Sequence, residues 1–260
     1  MHIDHILQEI SAGTNVVVPE NWAQGRTIFG GLTAAMMLQA ARVEVEPERV
    51  LRAMDVNFTR PFNAGIPYQI EVETLGEGKT VCVKNVRIIQ EGKIRANLRA
   101  DFCRPLASEV RIDTFSAPNI RPPEESLPMT GDRLPTFFCH IDACLASNAL
   151  PFAASEDAQM HGWMRYKEPP EKSSIPLLVG LIDSWPPTAA THYSRPVPMS
   201  TISWHLHFTL DADMFDVNDY LGYHSVAEFN EGGISSSSAY IWRPDGRLLA
   251  KSVQTNIIYG

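Results

Sequence analysis

Two stretches of this chain repeat one another at a fixed offset. Glu77-Gly78 is followed fourteen residues later by Glu91-Gly92-Lys93, and Glu231-Gly232 is followed fourteen residues later by Asp245-Gly246-Arg247. The copies lie 154 residues apart, and at that offset Ile94 matches Leu248 and Ala96 matches Ala250. A turn, a strand, a second turn and a second strand are used twice. The dipeptides Phe58-Thr59 and Phe208-Thr209 extend the correspondence, at offset 150. The chain has 260 residues, 44% of them apolar, which is room for two units of ~130 residues, each with its own core.

Each unit reads as a helix followed by a run of antiparallel strands. Residues 30–45 are rich in Ala, Met, Leu and Gln, with apolar positions around much of the circumference, so this helix is expected to be buried nearly all round. Strand signals follow at 51–60, 67–76, 79–90 and 93–103. In the last, Ile94, Ala96, Leu98, Ala100 and Phe102 share one face while Lys93, Arg95, Asn97 and Arg99 share the other. In the second half, strand signals at 136–145 and 160–167 precede a short apolar helix from Ile175 to Trp185, stopped by Pro186-Pro187. Strands follow at 200–209, 218–229, 233–243 and 246–258. Residues 105–135 carry six prolines with charges between them and read as a surface linker. The expected organisation is an N-terminal unit over 1–104, the linker, and a C-terminal unit over 136–260, in an α+β architecture.

The net charge of −8 disfavours nucleic acid or an anionic membrane as partner. Cys82, Cys103, Cys139 and Cys144 show no metal-ligand spacing and read as reduced thiols of a cytoplasmic protein. The first residues lack a basic segment followed by an apolar run, so no signal peptide is expected, and no apolar stretch is long enough to span a bilayer.

Comparing the copies position by position isolates the unusual residues. Leu248, Ala250, Ser252, Gln254 and Asn256 fall where the first copy has Ile94, Ala96, Leu98, Ala100 and Phe102. A buried amide without partners costs roughly 1–3 kcal/mol, so Gln254 either has polar neighbours, lines a wet cavity, or sits at a strand end in solvent. Asp183, in the run Leu177-Leu178-Val179-Gly180-Leu181-Ile182-Asp183, is either a carboxylate with a shifted pKa or a helix-end residue facing water.

Taken together, Asp183, Ser200-Thr201-Ile202 and Ser252-Val253-Gln254 resemble the bacterial acyl-CoA thioesterase II (TesB-like) family, in a divergent branch. So do Ile28-Phe29-Gly30-Gly31, Asn57-Phe58-Thr59-Arg60-Pro61 and Asp245-Gly246-Arg247-Leu248-Leu249-Ala250. The resemblance implies a double hotdog fold, in which a sheet wraps a helix in each of two tandem units. It implies that Asp183, Thr201 and Gln254 hold a water that attacks a thioester carbonyl, with Asp183 as general base. Gly30 and Gly31, at an electropositive helix start, would bind the developing oxyanion, and Asn57 would lie among the substrate-binding residues. The implied substrate is an acyl-CoA, with no metal or organic cofactor and with a homodimer or higher homo-oligomer as a possible assembly. On strand 200–209 the apolar face is Ile202, Trp204, Leu206 and Phe208, so bringing Thr201 inward requires a twist or a bulge.

Other signals are weaker. Gly76-Glu77-Gly78-Lys79-Thr80 lacks the first glycine of a phosphate-binding loop and precedes a strand. His205 and His207 lack a third ligand and read as solvent-side histidines. No Gly-x-Ser-x-Gly elbow is present. Lys84, Arg87, Lys93, Arg95 and Arg99 form either a solubilising face or a site for the phosphates of coenzyme A. Trp163, Trp204 and Trp242 line either an acyl tunnel or the core. Two other functions fit the same frame: a non-catalytic acyl-thioester binder, and an enoyl-thioester hydratase needing a His beside Asp183, with His192 the nearest in sequence.

Overall fold

The computed structural model describes residues 1–14, 16–132 and 134–260. Asn15, within the expected N-terminal unit, and Arg133, within the expected linker, lie outside the described residues. The chain runs through α1 (Ile3–Ser11), β1 (Ala23–Gln24), β2 (Thr27–Ile28) and α2 (Gly30–Arg42), then β3 (Val50–Phe58), β4 (Gln69–Glu77), β5 (Val81–Gln90) and β6 (Lys93–Cys103). The second half contains β7 (Leu127–Pro128), β8 (Ile141–Leu145), β9 (Gln159–Tyr166), α3 (Ile175–Ile182), β10 (Met199–Phe208), β11 (Leu221–Glu231), β12 (Ile234–Trp242) and β13 (Leu248–Ile258).

Among the described residues, eleven strands form one antiparallel sheet in the order β4-β5-β6-β3-β10-β13-β12-β11-β9-β8-β7. The first unit contributes four strands and the second seven, of which β10, β13, β12 and β11 repeat the order of β3, β6, β5 and β4, and the two sets meet through β3 and β10. That junction pairs Asn57 with Ser203, Asp55 with His205 and Ala53 with His207. The offset of 150 read from Phe58-Thr59 and Phe208-Thr209 makes Asp55 and His205 equivalent, and here they face each other. The pseudo-two-fold axis of the duplication therefore passes between them. Their side chains approach within 3.6 Å on the outer face of the sheet.

Helices α2 and α3 pack side by side on the inner face. Every residue of α2 from Gly31 to Leu38 is buried, because the sheet covers one side and α1 and α3 cover others. The approach of α2 to α3 is close enough to require glycine. A Cβ on Gly31 would lie 2.8 Å from the Gly180 carbonyl oxygen, and one on Gly180 would lie 2.5 Å from the Tyr166 hydroxyl. That hydroxyl donates to the Leu177 carbonyl at 2.9 Å, fixing α3 to β9.

Several details differ from the sequence reading. Helix α1 is an additional element before the first strand, with Ile3, Ile6, Leu7 and Ile10 at helical spacing and all buried. Residues Thr136–Cys139 form a 3-10 turn rather than the start of a strand, with Phe137 stacked on Phe29 at 3.9 Å between ring centroids. Lys84 faces inward with Cys82 and Val86 and is 2% exposed, donating to the Thr74 hydroxyl at 2.7 Å beside Glu44. It therefore leaves the outer basic face, where Arg87 pairs with Glu71 and Glu73. Arg95 is also buried, bonded to Glu91 and to the Gln90 carbonyl, and Ile94 is 36% exposed. Trp204 lies in the inner core, whereas Trp163 and Trp242 pack against each other beneath Phe115 of the connecting segment. The Trp163 indole donates to the Arg121 carbonyl at 2.7 Å, so this segment is fastened across the second unit.

Candidate active site

Helix α3 is an unbroken apolar run, Ile-Pro-Leu-Leu-Val-Gly-Leu-Ile, and every residue of it is buried. It ends one turn earlier than Trp185, with Asp183 as its C-cap, because Pro186 and Pro187 cannot continue it. Asp183 is partly buried. Its side chain turns toward the sheet and toward α2, and Gln254 Nε2 donates to Asp183 Oδ1 at 2.8 Å. The backbone N–H of Gly31 lies near the same carboxylate and favours its charged form. Gly30 lies so close that a Cβ there would sit 2.7 Å from Asp183 Oδ2 and 3.4 Å from the ring of Phe58. A helix N-terminus from the first unit thus grips a carboxylate from the second.

Burial pushes the Asp183 carboxyl up to about 7, while the hydrogen bond from Gln254 and the nearby Gly31 N–H pull in the opposite direction. The two helix ends also oppose one another, since the C-terminus of α3 disfavours negative charge and the N-terminus of α2 favours it. The result is a carboxylate whose proton affinity sits near neutral pH, where a general base is most useful. Tyr223 stacks on Trp185 with 4.8 Å between ring centroids. Burial raises its phenol above the ordinary range, and the charge of nearby Asp183 raises it further.

Thr201 reaches the same face through an irregularity. Strand β10 pairs Trp204 with Gln254 and Thr201 with Asn256, with a register shift between Thr201 and Ser203. Ile202 is the extra residue at that shift, so Thr201 lies on the side of Gln254 and Asn256 despite its odd parity. Asn256 Nδ2 donates to Thr201 Oγ1 at 3.0 Å. Asp183 and Gln254 are thus in direct contact, while Thr201 is held by Asn256, two residues beyond Gln254 on the same strand face. Asn57 lies elsewhere: it is exposed on the outer face beside Asn97 and Ser203, and Phe58 takes the inward position next to Gly30.

Other inward polar groups accompany these. Ser237 is paired opposite Gln254 and Ser235 opposite Asn256, and both are buried. The signal was the run Ser235-Ser236-Ser237-Ser238, in which alternate serines face inward. Ser252 is accounted for by the Trp204 indole, which donates to it at 2.8 Å. His205 and His207 are exposed on the outer face, and no cluster of three metal-ligating side chains occurs among the described residues. An open groove of about 220 Å³, bounded by Ile10, Ala40, Val43, Ile70 and Val72, does not touch this site.

Two family models divide the chain between them. Residues 18–112 match the acyl-CoA thioesterase N-terminal domain and residues 118–258 match the acyl-CoA thioesterase C-terminal domain. The chain belongs to the acyl-CoA thioesterase family. It is 30% identical over 100 residues to Acyl-CoA thioesterase 2 of Haemophilus influenzae, covering 38% of this chain and 34% of that protein. The chain matches about a third of the length of its curated relatives. Among solved structures, a hot dog fold protein of unknown function from Alicyclobacillus acidocaldarius superposes with a TM-score of 0.80 at 24% identity, over 94% of this chain and 91% of that one. The acyl-CoA thioesterase II TesB2 of Mycobacterium marinum superposes with a TM-score of 0.74 at 20% identity, over 88% of each chain. These likenesses give the double hotdog architecture. No helix among the described residues is long and apolar enough to cross a membrane, and the four cysteines are free.

Proposed function

We propose that this protein hydrolyses acyl-CoA thioesters to the free acid and coenzyme A, using a water activated by Asp183. The observation that carries the reading is the Asp183 carboxylate, poised at about 7 and held between Gln254 and the N-terminus of α2. In the proposed step Asp183 accepts a proton from the water as its oxygen bonds to the thioester carbonyl carbon. The carbonyl electrons move onto oxygen, then return as the carbon–sulfur bond breaks, and the sulfur leaves as the thiolate or thiol of coenzyme A. Gln254 and Thr201 orient the water through hydrogen bonds. The oxyanion draws on the amides of the first turn of α2, Gly30 and Gly31 among them, beside the carboxylate. Membership of the acyl-CoA thioesterase family supports the substrate class.

The test is release of free thiol from short-, medium- and long-chain saturated acyl-CoA thioesters. Hydrolysis by the unmodified protein and its loss in Asp183→Asn, with the fold retained by circular dichroism, is the expected result. Equal rates in the two proteins would reject Asp183 as the base. Binding of acyl-CoA without hydrolysis by either would favour the non-catalytic binder. The hydratase has less support, because His192 is exposed and contacts Thr191 rather than Asp183.

A further inference from the structure

Asn256 is the least expected polar side chain on the inner sheet face. It is 0% exposed, and it stands where the first copy of the repeat carries the buried Phe102. Its Nδ2 donates to Thr201 Oγ1 at 3.0 Å, while its Oδ1 is buried with no protein partner. A buried amide with half its bonding capacity unmet costs more than the phenyl group at the equivalent position. The bulge at Ile202 adds a second irregularity whose effect is to bring Thr201 opposite Asn256. Two local costs therefore converge on one hydroxyl.

The chemistry of that hydroxyl gives them a common purpose. A threonine side chain has one O–H donor and two lone pairs, and its proton turns to suit its neighbours. With one lone pair filled by Asn256 Nδ2, the amide holds the oxygen as acceptor on that side, and the hydroxyl proton is left to point away from Asn256. Thr201 then acts as a donor toward the polar face shared with Gln254.

We propose that Asn256 is a positioning residue that sets the polarity of Thr201, so that Thr201 donates its proton to the attacking water. This rests on the thioesterase reading of the site. Asn256→Asp inverts the bond, because a carboxylate accepts the threonine proton and withdraws it from the water. Asn256→Ser is the milder variant, should a buried carboxylate prevent folding.

The experiment combines a structural readout with a kinetic one. Nuclear magnetic resonance of the Asn256 side-chain amide should show a hydrogen-bonded proton protected from exchange, and Thr201→Val should abolish that protection. With the best acyl-CoA of the chain-length panel, Asn256→Asp should lower kcat at least about tenfold with KM little changed. Asn256→Ser should give a smaller loss in the same direction. Combining Asn256→Asp with Thr201→Val should lower kcat no further than Thr201→Val alone, as required of a residue acting through Thr201. Additive losses would mark a general structural role and overturn the proposal. Unchanged kcat in both Asn256 variants, with Asp183→Asn inactive, would overturn it while leaving the thioesterase reading intact. Absence of hydrolysis by the unmodified protein across the panel would overturn both.

Discussion

Asp183 carries a cost that its partners only partly offset. Its carboxyl is raised from 3.8 to about 7, chiefly by burial. Below about pH 4 the folded and unfolded chains are both protonated there, and the residue costs nothing. Between the two values the unfolded chain releases its proton while the folded chain keeps it, so stability falls as pH rises, and the full cost applies above about 7. Asp183→Asn is therefore expected to stabilise the protein by roughly 1–3 kcal/mol above neutral pH and to have little effect near pH 4, as thermal unfolding across pH would show. Activity should run the other way. If Asp183 is the base, kcat/KM should rise with pH through about 7 and level off, and a kcat/KM independent of pH between 5 and 8 (about the window in which such a group titrates) would argue for another base. At this scale the sequence exposed the polar residues but not their pairing. Gln254 and Asp183 were visible as polar breaks in apolar patterns. That one donates to the other depends on where α3 ends relative to β13, which local pattern does not encode.

Among the elements, the α2–α3 contact and the β10 bulge position the site. Gly31→Ala would place a methyl group 2.8 Å from the Gly180 carbonyl and closer still to the Phe29 ring. The helices must separate or Phe29 must move, so a loss of about 1–3 kcal/mol in chemical denaturation is expected, with lower activity because the Gly31 N–H moves away from Asp183. A stability equal to that of the unmodified protein would show that the helices yield freely. The bulge makes a different prediction. Deleting Ile202 removes the extra residue and leaves Thr201 directly before Ser203, still facing Asn256. If the proposed site acts as argued, hydrolysis within about tenfold of the original is expected, since Thr201 keeps its place opposite Asn256. A far larger loss would show that the bulge itself shapes the site. Strand periodicity marked the strands well because one face of each is dry. It misplaced Lys84 and Arg95, whose chemistry suggested the wet face, because an inward basic side chain is tolerated where Thr74, Glu44, Glu91 or a carbonyl meets it. Helix α1 is legible in the helical spacing of Ile3, Ile6, Leu7 and Ile10.

The whole molecule is one sheet folded from two copies, joined where β3 meets β10 around Asp55 and His205. A fragment of residues 1–104 would lose that partner and expose β3 as an unpaired edge. It is expected to self-associate or aggregate on size-exclusion chromatography, and a well-behaved monomer would show that the units are independent. The Asp55–His205 pair itself is exposed, so replacing either should change stability by no more than about 1 kcal/mol. The duplication, the helix-then-strands order and the α+β class follow from the amino-acid sequence alone, because turn glycines and alternating apolar residues are local requirements that recur wherever the same unit is built. The sequence also marked the second copy as the one that departs from an apolar interior. What only the tertiary structure decided is that the start of a helix in one copy meets the end of a helix in the other, with Gln254 beneath them. That meeting is a long-range contact between residues far apart in the chain, fixed by how closely two glycine-bearing helices pack on a shared sheet, and no local pattern records it.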